Sequence, residues 1–282
     1  MFAEINGVSL YYEETGEGFP LIFSHEFGGD FRSWEPQVRF FSRTYRCITF
    51  NHRGYPPSAV PNDPNAYSQD NMIEDLAGLA RHVGISRAHW IGCSMGAQGV
   101  LMLSMRYPDL CESTTVVGCG SGSVNHEEFI ASSEEHARGL QARGVEYLQE
   151  YVAGQPSRTA YKLKDPRGYE EFRRQLADHS ALGSALTQLG IQRNRPTVTQ
   201  LGDQLQRLRV PTLLIIGDQD EPCVDANIFM RRQCASAGLV VLPRSGHTVN
   251  LEEPDLFNDV VLRFLNSVEA HRWVSEAAAG VT

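Results

Sequence analysis

Three residues stand where a nucleophilic reaction would need them. Ser94 is the centre of Gly92-Cys-Ser-Met-Gly96, His247 closes Ser245-Gly-His247, and Gly217-Asp-Gln-Asp220 lies between them in the chain. A serine hydroxyl is a weak nucleophile by itself. It becomes competent when an imidazole takes its proton and a carboxylate orients that imidazole and balances its charge. Glycines two residues before and after the serine allow a turn too tight for side chains on either flank. The hydroxyl is then held out above the sheet, and the N-terminus of the following helix favours negative charge there.

Each of these segments follows a short apolar run. Ala88–Ile91 precedes the serine, Pro211–Ile216 precedes the acid and Leu239–Leu242 precedes the histidine. Runs of this kind, apolar on both sides, suit the buried strands of a parallel sheet. Upstream, residues 2–6 and 8–13 alternate and meet at Asn6-Gly7, a hairpin signal. Strands are predicted at 20–24, 46–50 and 114–117. Helices are predicted at 31–43 (apolar face Phe31, Trp34, Val38 and Phe41), at 70–84, opened by Asp70, and at 95–107, stopped by Pro108. Strand and helix alternate up to residue 123 and again from 209, ending in a helix over 255–270 and an aperiodic tail, 271–282, expected to fray. The fold expected is α/β, a doubly wound, mostly parallel sheet. Between the two halves, 124–208 has no strand pattern and reads as helices at 127–144, 145–153, 168–182 and 198–208. The expected organisation is thus a core of 1–123 and 209–282 with a helical cap, 124–208. All three candidate residues fall at C-terminal strand ends, where open α/β sheets bind ligands. The insertion is expected to cover them as a lid.

The net charge of −9 argues against nucleic acid or an anionic membrane as a partner. No apolar stretch approaches the length of a membrane span, and the first residues lack the pattern of a secretory signal. The six cysteines are scattered and none has metal-ligand spacing. A reduced, cytoplasmic enzyme acting on a small-molecule substrate is expected, with no metal and no organic cofactor; homodimer formation is left open.

The order Ser94, Asp220, His247, together with Gly-Cys-Ser-Met-Gly, Gly217-Asp-Gln-Asp220 and Gly246-His247 running on to Glu252-Glu-Pro254, resembles the α/β-hydrolase superfamily in its capped branch, over roughly residues 5–268. The resemblance implies that Asp220, three residues after the glycine, is the acid rather than Asp218. It also implies an oxyanion hole of two backbone N–H groups, those of Met95 and Phe27, the latter in His25-Glu-Phe-Gly-Gly29. Glu26 stands where that family usually has glycine. Its carboxylate is expected to turn away and bond loop backbone or a nearby arginine; the alternative is a protonated Glu26 facing the substrate. Asn51-His-Arg53-Gly54 resembles the family's Asp-x-Arg-Gly turn with Asn for Asp, and Arg53 is read as structural. Cys93, Trp34 and Trp90 are read as core, His25 as packed under its loop, and Arg193 and Arg195 as a solvated face rather than contacts to an anion.

The expected activity is hydrolysis of a small carboxylic ester or lactone through an acyl-Ser94 intermediate. The serine argues against dehalogenase and epoxide hydrolase chemistry, for which relatives carry Asp at this position. The alternatives are hydrolysis of a C–C bond in a β-diketone-like or ring-cleavage product and, further off, a ligand-binding receptor or a cofactor-free, oxygen-using enzyme on the same scaffold.

Overall fold

The computed structural model describes residues 1–273. The chain opens with a hairpin, β1 (Phe2–Ile5) and β2 (Val8–Thr15), in which Ile5 pairs with Val8. The two turn residues have positive φ, 47° at Asn6 and 76° at Gly7, the backbone that a two-residue hairpin matching the strand twist requires. Then follow β3 (Phe19–Ser24), α1 (Glu35–Phe41), β4 (Tyr45–Phe50), α2 (Gln69–His82), β5 (Ala88–Cys93), α3 (Met95–Arg106) and β6 (Cys111–Val117). After a helical stretch come β7 (Thr212–Gly217), a helix at Glu221–Gln233, β8 (Ala237–Leu242), and helices at Val249–Glu252 and Pro254–Glu269. The strands form one sheet in the order β1-β2-β4-β3-β5-β6-β7-β8, parallel from β4 through β8.

The sheet is covered on both faces, and the residues alternate accordingly. Ile22, Trp90 and Leu214 join one core with α2, α3 and the helix Glu221–Gln233; Leu21, Phe23, Ile91, Leu213 and Ile215 join the other with Phe41 of α1 and Phe257, Val261 and Phe264. Every residue of β5 and β7 is buried, which is why these strands read as continuous apolar runs. Trp34 and Trp90 are core residues, as expected.

Between β6 and β7 the chain forms α4 (His126–Arg143), α5 (Val145–Ala153), α6 (Thr159–Lys164), α7 (Pro166–Gln175), α8 (Ala181–Thr187), a π-helical turn (Gln188–Gln192) and α9 (Gly202–Arg207). The helix expected over 168–182 instead ends at Gln175, and α6 is an additional short helix. Leu140, Leu148, Val152, Tyr161, Phe172 and Ile191 of this stretch pack in a third apolar cluster with Phe27, Tyr55 and Met95, so it is seated on the C-terminal ends of the strands. The remaining helices are α10 (Glu221–Gln233), α11 (Val249–Glu252) and α12 (Pro254–Glu269). Among the described residues no helix is long and apolar enough to cross a membrane. The six cysteines are all buried free thiols.

Two local readings are corrected. The cap of α2 is Ser68, whose hydroxyl accepts from Asn71 N–H at 3.1 Å; Asp70 lies inside the first turn and pairs with Arg106. At the other end, Trp273 donates its indole N–H to the Ser236 carbonyl at 2.9 Å and packs on Phe264, so the tail is anchored at its start. Residues 274–282 of the tail expected to fray lie outside the described residues.

Arg53 is structural: it forms a two-pronged ion pair with Asp75, both bonds 2.6 Å, and donates to the Ala66 carbonyl at 2.8 Å. Asn51 has a physical reason to be an amide. Its oxygen accepts from Phe31 N–H at 2.7 Å while its NH₂ donates to the Pro56 carbonyl, also at 2.7 Å. A carboxylate could do only the first. Asn51→Asp is therefore expected to destabilise the fold by about 1–3 kcal/mol at neutral pH, read as a lower denaturation midpoint in urea. Part of the loss should be recovered at acid pH, where the new carboxyl regains a donor.

Candidate active site

Ser94 occupies the turn from β5 into α3 with φ 52° and ψ −109°, a backbone that non-glycine residues seldom adopt and that costs about 1–3 kcal/mol. The surroundings enforce it. A Cβ on Gly92 would lie 2.4 Å from the Gly96 carbonyl oxygen, and one on Gly96 would lie 2.3 Å from that of Ser24. The turn is pinned by Ser94 N–H to the Val117 carbonyl at 2.8 Å and by Gln98 N–H to the Ser94 carbonyl at 3.1 Å.

His247 Nδ1 is 2.7 Å from Asp220 Oδ2, and both side chains are buried. Asp218 does something else: its carboxylate accepts from Ser245 N–H at 3.2 Å and holds the histidine loop. Burial resists charging the imidazole, but the Asp220 carboxylate outweighs it and raises the His247 pKa well above its ordinary value. With Nδ1–H committed to Asp220, Nε2 is the ring's free basic atom. Ser94, Asp220 and His247 line one cavity of about 650 Å³. Among the described residues the Ser94 hydroxyl forms no hydrogen bond to His247, a contact that in such sites often tightens only when substrate binds.

The expected oxyanion donors are placed by their peptide planes. Met95 is the first residue of α3, so its N–H has no partner within the helix. The Glu26 carbonyl accepts from His25 Nδ1 at 2.7 Å and from Gly29 N–H at 3.2 Å. In a trans peptide the N–H points opposite to the carbonyl, so these bonds turn the Phe27 N–H the other way. Phe27 lines the cavity. The imidazole of His25 can serve only in one state. Its Nε2 accepts from His52 N–H at 3.1 Å, so Nδ1 carries the proton, and burial pulls its pKa down to about 4. His25 thus sets a peptide rather than merely packing beneath its loop.

Glu26 does not need glycine's freedom, since its φ is not positive. It pairs with Arg158 through both carboxylate oxygens, one bond being 3.0 Å, and both side chains are 3% exposed. Burial would neutralise this acid, but Arg158 overrides that and its pKa is lowered. Glu26 is a carboxylate turned to an arginine, and the alternative of a protonated donor is set aside.

Several contributors escaped the sequence reading. Arg158 and Ser157 come from the stretch joining α5 to α6; Ser157 offers its carbonyl to His247 N–H at 2.9 Å, so two adjacent residues hold both the Glu26 loop and the histidine loop. The carbonyl of Ser157 comes so close to Gly246 that a Cβ there would be 1.9 Å from it. Glu252, quoted above only as part of a motif, accepts from Gly246 N–H at 2.7 Å and Thr248 N–H at 3.0 Å. Cys223 sits beside the pair: a ligand atom from each of Asp220, Cys223 and His247 falls within 4.8 Å of the others. Its spacing from Asp220, one turn into α10, was the available signal. The trio is poorly suited to a metal, because Nδ1 and Asp220 share a proton and burial raises the Cys223 pKa and keeps the thiol neutral. Arg193 is a surface residue paired with Glu134 at 3.2 Å, as a solvated face would be; Arg195 is not, being 5% exposed and part of the cavity wall.

The buried Glu26–Arg158 pair yields a direct test. Glu26→Gln or Arg158→Met alone leaves one buried charge unanswered and is expected to cost about 3–5 kcal/mol. The double variant should cost clearly less than the sum. A double-mutant cycle by urea denaturation checks this, and additive losses would mean that the pair is not coupled.

The comparisons agree with this architecture. The sequence profile of the alpha/beta hydrolase fold matches residues 20–254. The chain is similar to 3-oxoadipate enol-lactonase 2 of Acinetobacter baylyi, 27% identical over 262 residues, covering 90% of this chain and 92% of that one. It is likewise similar to a putative non-heme bromoperoxidase, BpoC, of Mycobacterium tuberculosis, 28% identical over 280 residues, covering 93% of this chain and 100% of that one. Among solved structures, the enol-lactonase of Burkholderia xenovorans superposes with a TM-score of 0.83 at 24% identity, covering 94% of this chain and 100% of the other. A thermophilic esterase of Thermogutta terrifontis does so with 0.85 at 24% identity, covering 95% and 98%. The parallel sheet, the strained serine turn and the matching profile together show that this chain belongs to the α/β-hydrolase family of enzymes.

Proposed function

We propose that this enzyme hydrolyses a small carboxylic ester or lactone through an acyl-Ser94 intermediate. The observation that carries the reading is the Asp220–His247 pair, 2.7 Å apart, sharing a cavity with a serine held in a strained turn. Nε2 of His247 takes the Ser94 proton as Oγ attacks the substrate carbonyl. The carbonyl oxygen becomes an oxyanion facing the N–H groups of Phe27 and Met95. Nε2 then returns the proton to the departing alkoxide, which leaves an acyl-serine. A water repeats the sequence and frees the acid. With a lactone the departing alcohol stays tethered to the acyl group, so deacylation must compete with ring re-closure. Asp220 stays ionised throughout and stabilises the imidazolium. A cavity of about 650 Å³ suits a small organic substrate. The enol-lactonase activity named for the Acinetobacter relative is of the same reaction class.

We further propose that 124–208 is a lid. Tyr151, Val152, Arg158 and Arg195 come from it and line the cavity, and its contacts through Ser157 and Arg158 reach both catalytic loops.

Turnover of short p-nitrophenyl esters and lactones, run beside a vinylogous diketone, tests the proposal. Ser94→Ala should fold normally and lose nearly all activity; full activity in that variant would remove the mechanism. Asp220→Asn should lower kcat about 10⁴-fold, as amide substitution does in such triads, and Asp218→Asn far less. A diketone cleaved in preference to every ester would replace the ester reading with C–C hydrolysis.

The raised His247 pKa fixes the sign of the pH dependence. The base is neutral only above that pKa, so kcat/KM should rise with pH and reach half-maximum above 6.5, the ordinary histidine value. Removing the Asp220 charge withdraws the stabilisation of imidazolium, so the inflection should move down in Asp220→Asn. A half-maximum at or below 6.5 in the wild type would contradict the pairing.

A further inference from the structure

The buried charged groups of the cavity are not all paired. Glu26 is answered by Arg158 and Asp220 by His247. Two more carboxylates, Glu128 and Glu221, belong to the lining, but both are exposed. Arg195 is the cation left over. It is 5% exposed, its Nη2 donates to the Ser121 carbonyl at 2.7 Å, and its guanidinium lies over the Phe129 ring at 4.5 Å. Among the described residues it forms no ion pair, and its Nε and Nη1 donors have no hydrogen-bond partner. A buried guanidinium with no acid is an unfavourable arrangement, since the charge gives up water without receiving a counter-charge. Burial accordingly pushes its pKa below the ordinary arginine value, although guanidinium stays protonated in proteins.

The local structure holds Arg195 in place for a ligand. The Pro196 carbonyl next to it accepts from the Gln98 side chain of α3 at 2.7 Å, which ties this segment to the nucleophile's own helix. The chain arrives there through the π-helical turn Gln188–Gln192, a feature that is found disproportionately at functional sites. On the same wall Gln192, 6% exposed, has an amide that makes no hydrogen bond among the described residues and a buried carbonyl oxygen without a partner. With the Phe129 ring beneath it and Nη2 bonded to Ser121, the guanidinium keeps Nε and Nη1 available for a carboxylate, the group its planar fork suits.

We infer that Arg195 binds a carboxylate carried by the substrate, so that the ester or lactone opened by Ser94 is an acidic one, held by its anionic group in the same cavity. The inference rests on the hydrolase reading for its chemistry and deepens it by naming the substrate class. The carboxylate takes no part in bond breaking. It supplies the counter-charge that the chain withholds and positions the scissile carbonyl. Arginine, with its planar fork, is the side chain suited to this, and lysine would be a poor substitute.

The test compares matched substrates on the intact enzyme. One series consists of monoalkyl and mono-p-nitrophenyl esters of succinic, glutaric and adipic acids beside the corresponding neutral monocarboxylic esters. The second carries the acid on the alcohol side, as O-acetylated hydroxy acids beside O-acetylated alcohols. In at least one series the acidic member should exceed its neutral counterpart by more than about tenfold in kcat/KM, an effect of about 1.4 kcal/mol. Arg195→Gln should cut that ratio by at least the same factor, with Arg195→Lys between them. Equal or better turnover of the neutral member in both series would overturn the inference, as would a preference that survives in Arg195→Gln. Binding gives an independent reading that needs no turnover and no Arg195 variant to fold. Glutarate should raise the melting temperature of Ser94→Ala by a few degrees at millimolar concentration, and neutral glutaramide should not. Equal effects of the two would count against a carboxylate site. If no ester in either series reacts, the hydrolase reading fails while the glutarate measurement still decides whether the anion site exists.

Discussion

The tight passage of the chain from β5 into α3 is the constraint on which the rest of this structure depends. Gly92 lies against the Gly96 carbonyl and Gly96 against that of Ser24, with no room for a side chain at either position. The residue between them is driven to φ 52° and carries its hydroxyl out over the strand ends. A backbone this strained persists only where its neighbours over-determine it. Here they are the fully buried β5, the bond from Ser94 N–H to Val117, and the apolar packing of α3 on α2 and the sheet. The stability of the central sheet is thus used to hold one side chain in an otherwise unfavourable place.

Around that point, hydrogen bonds fix the loops that meet it. Asp220 orients His247, Asp218 and Glu252 hold the loop that carries it, and His25 turns the Phe27 peptide by taking up the Glu26 carbonyl. Ser157 and Arg158 reach across from the other side, one to the histidine loop and one to Glu26. The histidine loop and the Glu26 loop are therefore fastened to two adjacent residues of the helical stretch. A movement of that stretch away from the sheet would loosen His247 and the Phe27 peptide together.

How much of this could be read from the chain depended on how local the cause was. The central strands declared themselves because burial on both faces makes them apolar throughout, and the three candidate residues follow directly from their ends. Asp220 was separable from Asp218 only through the spacing that the family resemblance implied; charge and position alone fit either. Orientation across elements was not legible. Arg158 and Arg195 are arginines of the same inserted stretch as the half-buried Arg193, and nothing local marks them as buried. What buries them is the seating of α4 to α8 on the strand ends, a tertiary matter. The same holds for Cys223, brought to His247 only when α10 and the loop after β8 meet. The cap of α2 shows the limit at short range. Both Ser68 and Asp70 are good capping types, and the backbone around them selects the serine.

The central claim is that the hydroxyl held out by this turn is the nucleophile, and covalent labelling tests it most directly. The intact enzyme would be treated with a serine-directed alkyl fluorophosphonate, its mass measured, and the modified residue located by peptide mapping as activity is lost. A single adduct on Ser94, appearing in step with inactivation and absent from enzyme unfolded beforehand, is the expected result. Modification of another residue, or inactivation with Ser94 left unmodified, would contradict it.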